Sequence, residues 1–168
     1  YSNFPEIMYG ISLGGSYKNL DISLLFQGAT HVSNMPSRRI MRGFYEYTGA
    51  NRDLLKSWSY ERFVNNQKIV YPRYGVNGVG HNYLTSTYWL EDASYLRLKN
   101  VEVGYTFRQE SLKKAGIGSI RIYVNGSNLL TWTDMLPGQD PEVANAGVTH
   151  SEPHPVTRVF NFGLNVNF

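Results

Sequence analysis

The chain has 168 residues, enough for one ordinary domain. Only 17% of them are charged, 14% are aromatic with 13 Tyr, and 16 are Gly, a balance that disfavours disorder and helical bundles and favours strands. The net charge of +3 is scattered, with Arg38-Arg39 and Lys113-Lys114 the only adjacent basic pairs, so no nucleic-acid footprint is read here. Without cysteine there is no disulfide framework and no cysteine zinc site.

Period-two alternation predicts five strands. Residues 7–17 place Ile7, Tyr9, Ile11, Leu13 and Tyr17 on one face. Residues 20–30 do the same with Leu20, Ile22, Leu24 and Phe26, and only Lys18 and Asn19 separate the two runs, as in a tight hairpin. Residues 31–94 form a very long connection rich in Tyr and Trp, with a short helix expected over 50–64 from the spacing of Leu54, Leu55, Trp58 and Arg62. The third strand, 95–107, aligns Val101, Val103, Tyr105 and Phe107, while Leu96 and Leu98 have the opposite parity. A β-bulge near Lys99-Asn100 would bring them back to one face. Residues 119–132 set Ile120, Ile122, Val124, Leu130 and Trp132 against Arg121, Tyr123, Asn125, Ser127 and Thr131. The last run, 156–168, alternates Phe160, Phe162, Leu164, Val166 and Phe168 with Asn161, Gly163, Asn165 and Asn167.

Runs of this length exceed the globular mode of about 5–6 residues and suit tilted membrane strands, which need about 9–11. No stretch approaches the ~20 apolar residues of a membrane helix. The connections alternate between short (18–19, 108–118) and long (31–94, 133–155), the outer-membrane barrel pattern, with the short turns periplasmic and the long ones extracellular. On that topology Tyr17, Phe107 and Phe168 form one outward aromatic girdle, and Phe26, Trp132 and Phe160 the other. Asn161, Asn165 and Asn167 should then face the lumen. A soluble carbohydrate-binding β-sandwich is the alternative from another class, and it would more often place turns every 8–12 residues. Five strands are too few to close a membrane barrel, which starts at about eight. The first residues, Tyr1 to Pro5, carry neither Met nor a signal-peptide pattern, so the reading is part of a longer polypeptide.

Several segments resemble one family. Trp89-Leu90-Glu91-Asp92-Ala93-Ser94-Tyr95-Leu96-Arg97-Leu98-Lys99-Asn100-Val101, followed by Val103-Gly104-Tyr105-Thr106-Phe107, is similar to the tail of SusC/RagA-family TonB-linked outer-membrane proteins. So are the turn Leu112 to Ile117, the strand Arg121 to Trp132, Gly138-Gln139-Asp140-Pro141-Glu142, and Gly163 to Phe168. Upstream, Tyr17 to Gly28, Trp58 and Tyr71-Pro72-Arg73 also fit. The resemblance implies an all-β fold, about five C-terminal strands of a 22-stranded antiparallel transmembrane barrel around an N-terminal plug. It implies a multi-pass protein of the bacterial outer membrane, in contact with its lipids, that imports oligosaccharides or peptides. The implied partners are a SusD-like surface lipoprotein and TonB, the latter through a plug region absent from this sequence. A non-transporting barrel for adhesion or anchoring is the second alternative.

Other motifs carry less. His150-x-Glu152-x-His154 could converge three ligands in an extended chain, but Pro153 and Pro155 flank the last histidine, and no metal site is assigned. Asp140-Pro141-Glu142 could offer oxygens to a cation, though a turn is the plainer reading. Gly75-x-x-Gly78-x-Gly80 lacks the strand-to-helix context of a dinucleotide loop, and Asn125-Gly126-Ser127 is a sequon inside an expected strand. No nucleophile elbow or P-loop is present, so neither catalytic residues nor cofactors are assigned and an enzyme is not expected. Within the long connection, Trp58 and Trp89 are read as packing residues. The other aromatics stay open between packing and ligand contact, and substrate-binding residues are not assigned.

Overall fold

A computed structural model describes residues 1–36, 41–44, 49–50, 52–75, 80–108, 110–114, 116–135, 139–142 and 156–168. The chain divides into two compact units, one comprising Tyr1–Ser33, Asp92–Ala146 and Pro153–Phe168, the other Asn34–Glu91 and Gly147–Glu152. The long strands of the first unit are β1 (Ile7–Tyr17), β2 (Leu20–Thr30), β5 (Tyr95–Phe107), β6 (Ser119–Thr133) and β7 (Val159–Asn167). Between β2 and β5 lie two-residue strands, β3 (Ser33–Asn34) and β4 (Glu91–Asp92), which pair with each other. The five long strands form one antiparallel sheet in the order β1-β2-β5-β6-β7. β7 begins at Val159, three residues later than the alternation suggests.

The β1–β2 hairpin pairs Tyr17 with Leu20 across Lys18 and Asn19, and Lys18 takes the left-handed φ of 56° that so tight a turn demands. The register shifts between Leu98 and Asn100, and between Leu25 and Phe26 opposite. This bulge at Lys99 lies where the parity of Leu96 and Leu98 demands one. Because partners in an antiparallel sheet share a face, the register assembles whole rows from the separate alternations. Gly15, Ile22, Val103, Val124 and Phe162 form one such row. Below it run Tyr17, Leu20, Tyr105, Ile122 and Leu164, then Phe107, Ile120 and Val166. Above it run Leu13, Leu24, Val101, Gly126 and Phe160, then Ile11, Phe26, Leu98 and Leu130, then Tyr9, Gly28, Leu96 and Trp132.

Rows two residues apart are spaced by about 6.8 Å, so these rows span about 34 Å along the strands. At a tilt of about 40° the height is roughly 26 Å, which matches the apolar band of a membrane barrel, about 25 Å. No charged side chain occurs in the described rows. The face is open, with Phe162 82% and Leu164 62% exposed. An uncharged apolar surface this broad matches the lipid-facing side of a membrane barrel.

The second unit is built on its aromatics. Trp89, 4% exposed, stacks on Tyr71 and Tyr83 and meets Tyr88 edge-on, while its Nε1 donates to the Asn82 carbonyl at 2.8 Å. The helix expected over 50–64 is broken in two. A 3-10 turn spans Arg52–Lys56, and α1 (Tyr60–Val64) starts at Ser59, whose hydroxyl accepts the Arg62 amide. The break falls at Ser57, which makes a parallel bridge to Tyr71.

Candidate functional site

The other face of the five-stranded sheet carries the polar chemistry. β1 contributes Met8, Gly10, Ser12, Gly14 and Ser16 to its rows and no charge, whereas the inner strands contribute charges. Asp21 on β2, Glu102 on β5 and Arg121 on β6 meet there. Arg121 bonds both Asp21 oxygens, one of them from Nε at 3.2 Å, and donates to Glu102 Oε1 at 2.7 Å. To reach Asp21 the guanidinium must cross the intervening strand β5. It does so above Gly104, where a Cβ would meet Arg121 Nε and Asp21 Oδ2 at 2.6 Å each. The same guanidinium lies 4.9 Å from the Tyr123 ring centre, and that ring covers Gly163 of β7. The belt thus links four strands through two positions that tolerate no side chain.

A second network sits past the bulge. Arg97, 2% exposed, donates to Asp140 Oδ1 and Glu142 Oε2 at 2.6 Å each and to the Thr131 hydroxyl at 3.0 Å. Lys99 holds both Glu142 oxygens at 2.8 and 2.9 Å. Asp140 also accepts the amides of Glu142 and Val156 at 3.0 Å each. Asp140 and Glu142 are therefore engaged by cations of this chain, and the Asp140-Pro141-Glu142 turn fastens the segment after β6 to the wall. Between the networks, Asn161 bonds Asn125 at 2.8 Å and Ser127 bonds Asn100 at 3.0 Å. The register places Asn165 opposite Arg121 and Asn167 opposite Ser119, on the same polar face.

Outside the strands, Asp92 accepts the Ser94 amide at 2.8 Å. Hydrogen bonds from Ser94 hold its carboxyl below the usual range. Burial pushes the Tyr83 and Tyr88 phenols up, and Tyr88 donates to the Val70 carbonyl at 2.6 Å. Trp89 is a packing residue, as its sequence reading holds. Trp58 is not: it is 38% exposed and lines a cleft. His150, Glu152, His154, Gly78 and Gly138 lie outside the described residues. Gly80 opens a 3-10 turn rather than a strand-to-helix loop, and no group of three metal-ligating side chains occurs among the described residues.

Sequence reasoning misses both charge networks as networks. Asp21, Glu102 and Arg121 share the polar parity of their strands, but parity alone does not say that β2 lies beside β5. No helix among the described residues is long and apolar enough to cross a membrane.

The sequence and the fold both have counterparts among known proteins. Over 98% of its length the chain is 33% identical to TonB-dependent receptor P3 of Formosa agariphila, and over 97% it is 25% identical to TonB-dependent receptor SusC of Bacteroides thetaiotaomicron. The chain belongs to the TonB-dependent receptors. The RagAB peptide importer in its closed-closed state superposes with a TM-score of 0.73 at 26% identity over 98% of the chain. The RagAB peptide transporter does so with 0.69 at 27% over 95%. The chain spans 15–17% of the length of these proteins. No protein-family model matches it. The described sheet is thus a stretch of the β-barrel of that family.

Proposed function

We propose that this chain supplies part of the wall of a TonB-dependent importer of oligosaccharides or peptides, working beneath a SusD-like surface lipoprotein. The observation that carries the reading is the two-faced sheet itself. A broad uncharged face opposes a polar face that carries two charge networks, in a chain whose relatives are TonB-dependent receptors. A wall built this way keeps water and polar solutes on one side and lipid on the other. TonB would act through a plug outside this sequence.

Connection parity supports placing residues 31–94 outside the cell, where the aromatics of the second unit would meet substrate or lipoprotein. An epitope tag inserted near Gly78 should be accessible on intact cells, and a tag reached only after outer-membrane permeabilisation would refute that placement. The import reading is tested by deleting the full-length gene and supplying labelled oligosaccharides and peptides. Uptake should fall in the deletion strain, return with the gene, and stop when the proton-motive force is collapsed. Unchanged, energy-independent uptake would reject it and favour an anchoring barrel. Affinity purification of the receptor should bring down a lipoprotein of the expected size.

A further inference from the structure

We propose that the cleft around Trp58 in the second unit binds a uronic acid residue of an acidic oligosaccharide. The cleft has a volume of about 540 Å³ and is lined by Trp58, Tyr60, Tyr74, Arg62, Arg73 and Ser57, among others. That size lies within the range of about 300–1,000 Å³ usual for small-molecule sites. The backbone at Trp58 is fixed, since its main-chain amide donates to the Tyr71 carbonyl at 2.8 Å. Tyr74 is fixed by its hydroxyl, which donates to the Gly43 carbonyl at 2.8 Å. The Tyr74 ring is therefore set before any ligand arrives.

The lining charges are both positive. Arg62 spends one donor on the Lys68 carbonyl at 3.4 Å, and the Arg73 guanidinium has no partner among the described residues. A guanidinium offers five donors in a planar fork suited to a carboxylate, so most of this capacity is unused. Among the described residues no carboxylate lines the cleft. Ser57 points independently to a ligand. It is only 7% exposed, it lines the cleft, and its Oγ has no hydrogen-bond partner among the described residues. A buried hydroxyl left in that state is costly, and it turns about a single bond to meet a ligand oxygen.

A pyranose presents a flat C–H face to an aromatic ring and, in a uronate, a carboxylate at its rim. The cleft pairs an exposed indole with two cations in that manner. An acidic peptide would need backbone partners. Four amides here are already used: Ser57 by Leu54, Trp58 by Tyr71, Arg62 by the Ser59 hydroxyl and Phe63 by the Ser59 carbonyl.

The assignment deepens the importer reading and rests on it only for the ligand's onward route. The test is isothermal titration of the full-length receptor in detergent with a galacturonate trisaccharide, the neutral galactose trisaccharide of the same linkage, and triglutamate. The uronate should bind at least about tenfold more tightly than either control, and more weakly as salt rises. Arg62→Gln combined with Arg73→Gln should raise its Kd at least about tenfold, the loss expected for charge-assisted hydrogen bonds. Trp58→Ala should weaken binding and Trp58→Phe should restore most of it, which a misfolded variant could not do. Equal binding of the neutral sugar, tighter binding of triglutamate, or an unaffected arginine double variant would overturn the assignment. Uptake separates the two ideas. Uronate binding without energy-dependent uptake removes the importer reading and keeps the cleft. Energy-dependent uptake of another solute, with no uronate binding, removes the cleft alone.

Discussion

Replacing Arg97 by methionine tests how the segment after β6 is fastened. The methionine fills much of the volume but takes away three bonds, to Asp140, Glu142 and Thr131. Glu142 keeps Lys99, and Asp140 keeps its two amide donors. Asp140, however, loses its one cation partner among the described residues, and its side chain is 8% exposed. Removing one partner of a buried ion pair costs about 3–5 kcal/mol, and the surviving donors place this case near the lower end. About 3 kcal/mol corresponds to roughly a hundredfold more frequent opening. The amides bonded to Asp140 belong to Glu142 and Val156, so they report that opening directly. Hydrogen exchange of the full-length receptor in detergent should quicken by roughly this factor in peptides covering Glu142 and Val156, and far less in β1. Adding Asp140→Asn removes the stranded charge and should recover part of the protection. Exchange within twofold of wild type at both amides, or a double variant worse than Arg97→Met alone, would refute the tether.

Phe162 lies in a middle apolar row, so Phe162→Arg should cost about 2–4 kcal/mol in lipid and lower the heat-modifiable folded fraction in outer membranes. Asn161→Arg, on the polar face, should be milder, and equal yields for Phe162→Arg and wild type would contradict the facing. Gly163→Leu collides with the Tyr123 ring and should destabilise by about 1–3 kcal/mol in thermal unfolding. Gly15→Ala, with nothing near the added Cβ, should unfold like wild type, and similar losses from both would remove the packing argument. The Asp92 carboxyl lies below its ordinary value of 3.8 in the folded chain, so its bond to Ser94 stabilises above about pH 4 and is lost as pH falls through the folded value. Protection of the Ser94 amide, relative to its intrinsic exchange rate, should decline over that window and become flat in Asp92→Asn.

The faces of the wall are legible in the sequence because each strand writes its own alternation. Phe160 to Phe168 needs no neighbour to be read, and even the bulge announces itself as a parity change between Leu98 and Val101. What alternation lacks is adjacency. Arg121 meets Asp21 only because β2 pairs with β5 across a connection of more than sixty residues, and no local signal fixes that pairing. Asp140 and Glu142 read as a turn, which is true of the backbone, but their bonds to Arg97 and Lys99 are tertiary. Trp58 misled for a different reason. Its spacing from Leu54 and Leu55 suggests one buried helical stripe, yet the helix breaks at Ser57 and leaves the indole on an open cleft.

The bulge at Lys99 also bears on how such a wall can change over evolutionary time. Residues come and go readily in the connections, where nothing counts them. Within a strand, losing one residue turns everything on one side of the gap through the sheet. A deletion at Val103, for instance, would send either the Glu102 side into lipid or the Tyr105 side into the lumen. At Lys99 the arithmetic differs, because this residue is the surplus one against β2. Without it, Leu96, Leu98, Val101 and Val103 would alternate regularly and every side chain of β5 would keep its present face. Length variation inside this strand should therefore collect at one place, the bulge, and a relative that lacks the surplus residue should also lack the lysine grip on Glu142.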